Sequence, residues 1–165
     1  MKNNTFRKGL SLIEILVVIT IFAVLGVLVT QSVVLTLIGS RKSESIVHAR
    51  ENLDYSLNVI ERQIRNASSI VSCPDQYTIN YLDQNENASS FKCWNTGLAG
   101  SYIASGSAHL TGEAVKVMEC SFTCTPASGN NPALVQVELT MRDASTTGSQ
   151  GANVSASTQI YLRNY

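Results

Sequence analysis

Proline, histidine and charged side chains are all scarce in this chain, and each scarcity excludes something. The three prolines are Pro74, Pro126 and Pro132, so no pyrrolidine ring interrupts residues 10–73 and a long helix is permitted there. The two histidines, His48 and His109, have no cysteine or carboxylate at ligand spacing, which argues against zinc, and no metal is expected. No nucleophile triad or glycine-rich phosphate loop stands out, and the many serines fit turn chemistry. The chain reads as a non-enzyme that needs no cofactor. A basic excess is missing too. Lysine plus arginine and aspartate plus glutamate number 12 each, whereas a strong grip on nucleic acid wants a basic stripe. Lys92 and Trp94 are the nearest approach to an aromatic-plus-basic patch. Intrinsic nucleic-acid binding is therefore not expected.

What is present begins at Lys8-Gly9-Leu10-Ser11-Leu12-Ile13-Glu14, followed by apolar residues with scattered Thr, Gly, Gln and Ser up to Ile38. Leu10–Ile38 would make a helix about 43 Å long at 1.5 Å per residue, more than the 20 or so residues a membrane span needs. A helix that also packs against copies of itself would stay apolar past the bilayer, and Gly26 would allow close approach. Lys2, Arg7 and Lys8 precede the run and hold the N-terminus on the cytoplasmic side. Residues 1–9 contain no apolar core or small-x-small site of their own, so an ordinary secretory signal fits poorly. Glu14 is the only charge within the run. Placing a carboxylate there costs roughly 2.5–3.5 kcal/mol on insertion scales, which points to a functional partner. The plainer alternative is an uncleaved anchor with Glu14 among the headgroups.

Beyond Gly39 the pattern narrows to one apolar stripe: Ile46, Ala49, Leu53, Leu57, Ile60, Ile64, Ala67 and Val71, spaced by threes and fours among charged residues. That predicts an amphipathic helix continuing to about 67–70, stopped by Ser68-Ser69 and then Cys73-Pro74. From Tyr77 onward, alternation and turn residues predict strands at 77–82, 90–94, 101–104, 115–124, 133–141 and 157–162, forming an antiparallel sheet covered by the amphipathic helix. The fold class is α+β.

Four cysteines, Cys73, Cys93, Cys120 and Cys124, all follow the apolar segment. An even number in a small exported head reads as two disulfides. Three pairings are open, and the nearby pairs Cys73–Cys93 and Cys120–Cys124 are the first expectation.

The Gly9–Leu10–Glu14 arrangement at the head of a membrane-length run resembles the class III signal and N-methylation motif of type IV prepilins and type II secretion pseudopilins. The resemblance covers about Lys8–Gly26. It implies cleavage after Gly9 by a prepilin peptidase, N-methylation of Leu10 by the same enzyme, and docking of Glu14 against the Leu10 amine of another subunit. The family most often has phenylalanine where Leu10 stands; leucine keeps the apolar character. Losing residues 1–9 would leave 9 basic against 12 acidic side chains. The implied organisation is a leader at 1–9, a transmembrane and filament-core half-helix at 10–39, an amphipathic half at 40–72 and a β-sheet head at 73–165, a lollipop of helix and sheet. Residues 53–67 and 158–164 are similar to the stalk-to-head segment and terminal strand of pseudopilin J and PilW-like minor pilins. The implied partners are other pilin or pseudopilin subunits and an inner-membrane assembly platform, with the head outside the cytoplasm. A minor subunit that joins, primes or caps a filament is the leading expectation. A major pilin, or a membrane-anchored module binding DNA or a surface, are the alternatives.

Overall fold

The computed structural model describes residues 11–129, 132–145 and 151–163. It is α+β: one helix, α1 (Leu12–Arg65), precedes eight strands. Contacts divide the chain into two units, Met1–Ser40 and Arg41–Tyr165. In the first unit, every described side chain is exposed, including Leu12, Ile19, Phe22, Val29 and Leu35.

In the second unit, α1 buries Ser45, Ala49, Leu53, Ser56, Ile60 and Ile64, in steps of three and four. The periodicity anticipates most of this stripe. Ser45 and Ser56 are additions that hydrophobicity could not reveal. Ser56 tolerates full burial because its hydroxyl donates to the Asn52 carbonyl at 2.8 Å.

The helix ends earlier than its spacing predicts. After Arg65 the chain turns, and Ser69–Asp75 is strand β1. Val71 therefore lies on an exposed strand position, not on the helical stripe. Ile70 and Val71 fit a helical period by coincidence. The Ser68 N–H instead donates to the Leu82 carbonyl at 3.0 Å, and Ile70 pairs with Tyr81. Pro74 is tolerated because β1 lies at the sheet edge.

The strands form two antiparallel sheets where one was expected. Sheet 1 runs β1, β2 (Thr78–Leu82), β3 (Ala88–Trp94), β4 (Tyr102–Ser105) and β5 (Ala108–His109) in chain order. Sheet 2 runs β6 (Val115–Thr125), β7 (Leu134–Asp143) and β8 (Asn153–Tyr161). Leu53, Ile60 and Ile64 of α1 share one core with Ile79, Phe91 and Ile103 of sheet 1 and with Val117, Val137, Leu139 and Ile160 of sheet 2. Polar pins fix the helix. Gln63 Oε1 accepts from the Tyr81 hydroxyl at 2.6 Å and from Ser105 at 3.3 Å, and Asn52 Oδ1 accepts from the Gly112 N–H at 3.2 Å. Burial pushes the Tyr81 phenol up. Among the described residues no buried side-chain nitrogen or oxygen lacks a partner, as a core of this polarity requires.

The β2–β3 turn is organised by Asp83, whose Oδ1 accepts from the Asn85 and Asn87 N–H groups at 2.8 and 2.9 Å. The Asn87 N–H bond is the main reason that its carboxyl lies below the usual carboxylate range. A depressed folded pKa means that the turn's contribution is fully present above about pH 4 and is lost as pH falls through the lower folded value. Asp83→Ala is expected to lower the midpoint of thermal unfolding at neutral pH, with the gap from wild type closing in acid. Equal gaps at neutral and acidic pH would contradict this role.

Candidate functional site

The candidate assembly segment begins where α1 begins. Ser11 precedes the helix, and its carbonyl accepts from the Glu14 and Ile15 N–H groups at 3.0 and 3.2 Å. Glu14 therefore lies in the first turn, where a carboxylate is favoured by the exposed N–H groups of the helix end. The Ser11-x-x-Glu14 spacing is that of a capping box. Gly9 and Leu10 lie outside the described residues.

From Leu12 through the apolar stretch, α1 is long and apolar enough to cross a membrane, and none of that window is buried by the rest of the chain. Its polar residues are partly self-satisfied. The hydroxyls of Thr20, Thr30 and Thr36 donate to the carbonyls of Val17, Gly26 and Ser32 at 2.8, 2.8 and 2.9 Å. Beyond the adjoining helix backbone, a Cβ on Gly26 would meet nothing within 4 Å. Nothing intramolecular therefore demands glycine there.

All four cysteines are oxidised, but not in the nearby pairs. Cys73 bonds Cys124 and Cys93 bonds Cys120, with Cα–Cα distances of 6.3 and 6.4 Å. The sheets explain the correction. Cys120 and Cys124 lie four residues apart on β6, about 13 Å at 3.3 Å per residue. Cys73 on β1 and Cys93 on β3 are separated by β2, which puts them about 10 Å apart. Both distances exceed the roughly 7 Å that a disulfide can bridge. Instead, two alternate positions of β6 face sheet 1, and both bonds tie one sheet to the other.

Each sheet also carries a surface feature of note. A cleft of about 640 Å³ lies against sheet 2, lined by Glu119, Ser121, Glu138, Thr140, Ser155 and Ser157 among others. The Thr140 hydroxyl bridges Glu119 at 3.2 Å and Ser155 at 3.0 Å. The cleft has no histidine, lysine or arginine in its lining. On sheet 1, Trp94 stacks on Tyr102 with ring centroids 6.3 Å apart, and Tyr102 stacks on His109 at 3.8 Å. The Lys92 ammonium sits 4.0 Å from the Trp94 ring centroid. Tyr102 and His109 could not be linked to Trp94 before the strand register was known. No three His, Cys, Asp or Glu side chains among the described residues form a metal-ligand group.

Residues 5–30 match the family model of the prokaryotic N-terminal methylation motif. No curated protein and no solved structure matches the chain. The motif match supports the type IV pilin-like reading of the N-terminus, processing by a prepilin peptidase and anchoring through the apolar helix.

Proposed function

We propose that this chain is a minor pilin or pseudopilin, a structural subunit rather than an enzyme. In this reading, the chain enters the inner membrane through residues 10–39 with its head outside the cytoplasm. It is cleaved after Gly9 and methylated on Leu10. It then joins, primes or caps a type IV pilus or a type II secretion pseudopilus. The observation that carries the reading is a methylation motif over residues 5–30 running into a helix whose apolar side chains, from Leu12 to Ile38, all lack intramolecular cover. Such a helix wants lipid before assembly and neighbouring helices afterwards. The cross-sheet disulfides suit an oxidising compartment outside the cytoplasm. The minor assignment rests on the likeness of residues 53–67 and 158–164 to pseudopilin J and PilW-like proteins. Copy number per filament separates it from a major subunit: a few copies support the proposal, and a stoichiometric share of the filament mass contradicts it.

Within the proposal, cleavage creates an amine on Leu10, and a carboxylate in apolar surroundings is its natural counter-ion. Glu14 of one subunit would pair with the Leu10 amine of another and fix their axial register. Glu14→Ala and Glu14→Val are expected to insert and be cleaved normally but to enter filaments or the initiation complex poorly. Glu14→Gln should fall between, because it keeps a hydrogen-bonding group without charge. Quantifying the chain in sheared filament and membrane fractions tests this. Wild-type incorporation of all three variants would reduce Glu14 to a helix-end residue.

A further inference from the structure

The π-stack on sheet 1 is separate from the assembly segment and does not depend on the subunit reading. Its register is explicit. Lys92 and Trp94 on β3 lie opposite Ala104 and Tyr102 on β4, and Ala104 lies opposite His109 on β5. Alternate residues share a face, so Lys92, Trp94, Tyr102 and His109 all stand on one side of the sheet. Trp94 is 42 % exposed, His109 is exposed and Tyr102 is half-buried. The column ends at β5, the last strand of the sheet.

We infer that this column is a stacking platform for single-stranded nucleic acid, with a base continuing the stack at the His109 end and Lys92 facing the phosphates. The Tyr102–His109 centroid spacing of 3.8 Å is close to the ~3.4 Å at which successive bases follow one another. Stacked aromatics on a sheet face are a recurrent way of holding unpaired bases, and the contact tolerates any sequence. A sugar ring needs a broad open ring face. Here the Trp94 indole carries the Lys92 ammonium and lies against Tyr102, which favours a base over a glycan. The row across the sheet, Asp75–Thr78–Lys92–Ala104–His109, holds one carboxylate, at the edge far from His109. That carboxylate accepts the Tyr77 N–H at 2.7 Å. With one lysine on the platform and an acidic balance after leader removal, the affinity must come from stacking more than from charge. Its salt dependence should be shallow, with a log–log slope of about −0.7 for one phosphate contact.

Trp94 is the sole tryptophan, so its fluorescence reports the site directly. The full-length chain in detergent micelles would be titrated with a short oligothymidylate, an abasic sugar–phosphate oligomer of the same length and a maltooligosaccharide. Quenching by oligothymidylate alone is expected, with a slope near −0.7. Tyr102→Ala and His109→Ala should each weaken binding by about tenfold, whereas Tyr102→Phe should retain it. Intact disulfides and an unchanged circular dichroism spectrum establish that each variant is folded. Equal binding of the abasic oligomer would reduce the site to a charge effect and overturn the inference. Binding of the maltooligosaccharide alone, or no binding of any probe, would do the same.

Discussion

Gly9→Val is expected to leave the chain uncut and to abolish its entry into filaments, the largest single effect in this account. Glycine at the cut carries no side chain, so the residues around it can adopt the extended path that a protease site requires. A β-branched residue stiffens that position and adds bulk next to the scissile bond. Lys8 and Arg7 would still hold the leader at the cytoplasmic face, so insertion should be unaffected. The product would be a membrane-anchored precursor whose N-terminal leader blocks pairing between Leu10 and Glu14. Comparing wild type and variant on a gel that resolves the leader, beside a filament fraction, gives a yes-or-no answer. Normal incorporation of an uncut Gly9→Val chain would contradict the requirement for cleavage, and full function without any filament incorporation would favour the anchored module.

Removal of either disulfide is expected to produce the largest loss of stability. The Cys93–Cys120 and Cys73–Cys124 bonds close sequence separations of 27 and 51 residues. The chain-entropy relation assigns about 3.5 and about 4 kcal/mol to loops of these lengths. Each bond also holds sheet 1 to sheet 2 beside their shared core, so Phe91, Val117 and Phe122 lose alignment along with the covalent link. A small domain with a net stability of about 5–15 kcal/mol should be close to its limit when one bond is removed. The variant pairs Cys93→Ser/Cys120→Ser and Cys73→Ser/Cys124→Ser avoid leaving a free thiol. Urea unfolding of each should show a midpoint far below wild type, with the 51-residue loop costing at least as much. Peptide mapping without reduction would show Cys73 joined to Cys124. Recovery of Cys73–Cys93 peptides would contradict the two-sheet arrangement.

The parts of the fold carried by long periodic segments were legible in the sequence. The stripe from Ala49 to Ile64 repeats often enough to define a helix face, and Val135, Val137 and Leu139 alternate cleanly along β7. Strand β1 was not legible, because Ile70 and Val71 extend the helical spacing and the sheet partner of Ile70, Tyr81, lies well downstream. Ala108–His109, a two-residue strand, is too short to carry a period. The cysteine pairing depends on which sheet faces which, and neighbours in sequence on one strand are poor candidates for a bond. The aromatic column shows the same limit. Trp94, Tyr102 and His109 are scattered in sequence, and only the β3–β4–β5 register assembles them. The motif over residues 5–30 was the most legible part, since its pattern is carried by spacing along one continuous stretch of chain.

Whether the bond between Gly9 and Leu10 is cut can be read by intact-mass analysis with N-terminal sequencing of the chain recovered from native membranes. The expected result is a mature chain that begins at Leu10, lacks residues 1–9 and carries a methyl group on its terminal amine. A chain in native membranes and filaments that still begins at Met1 would contradict it.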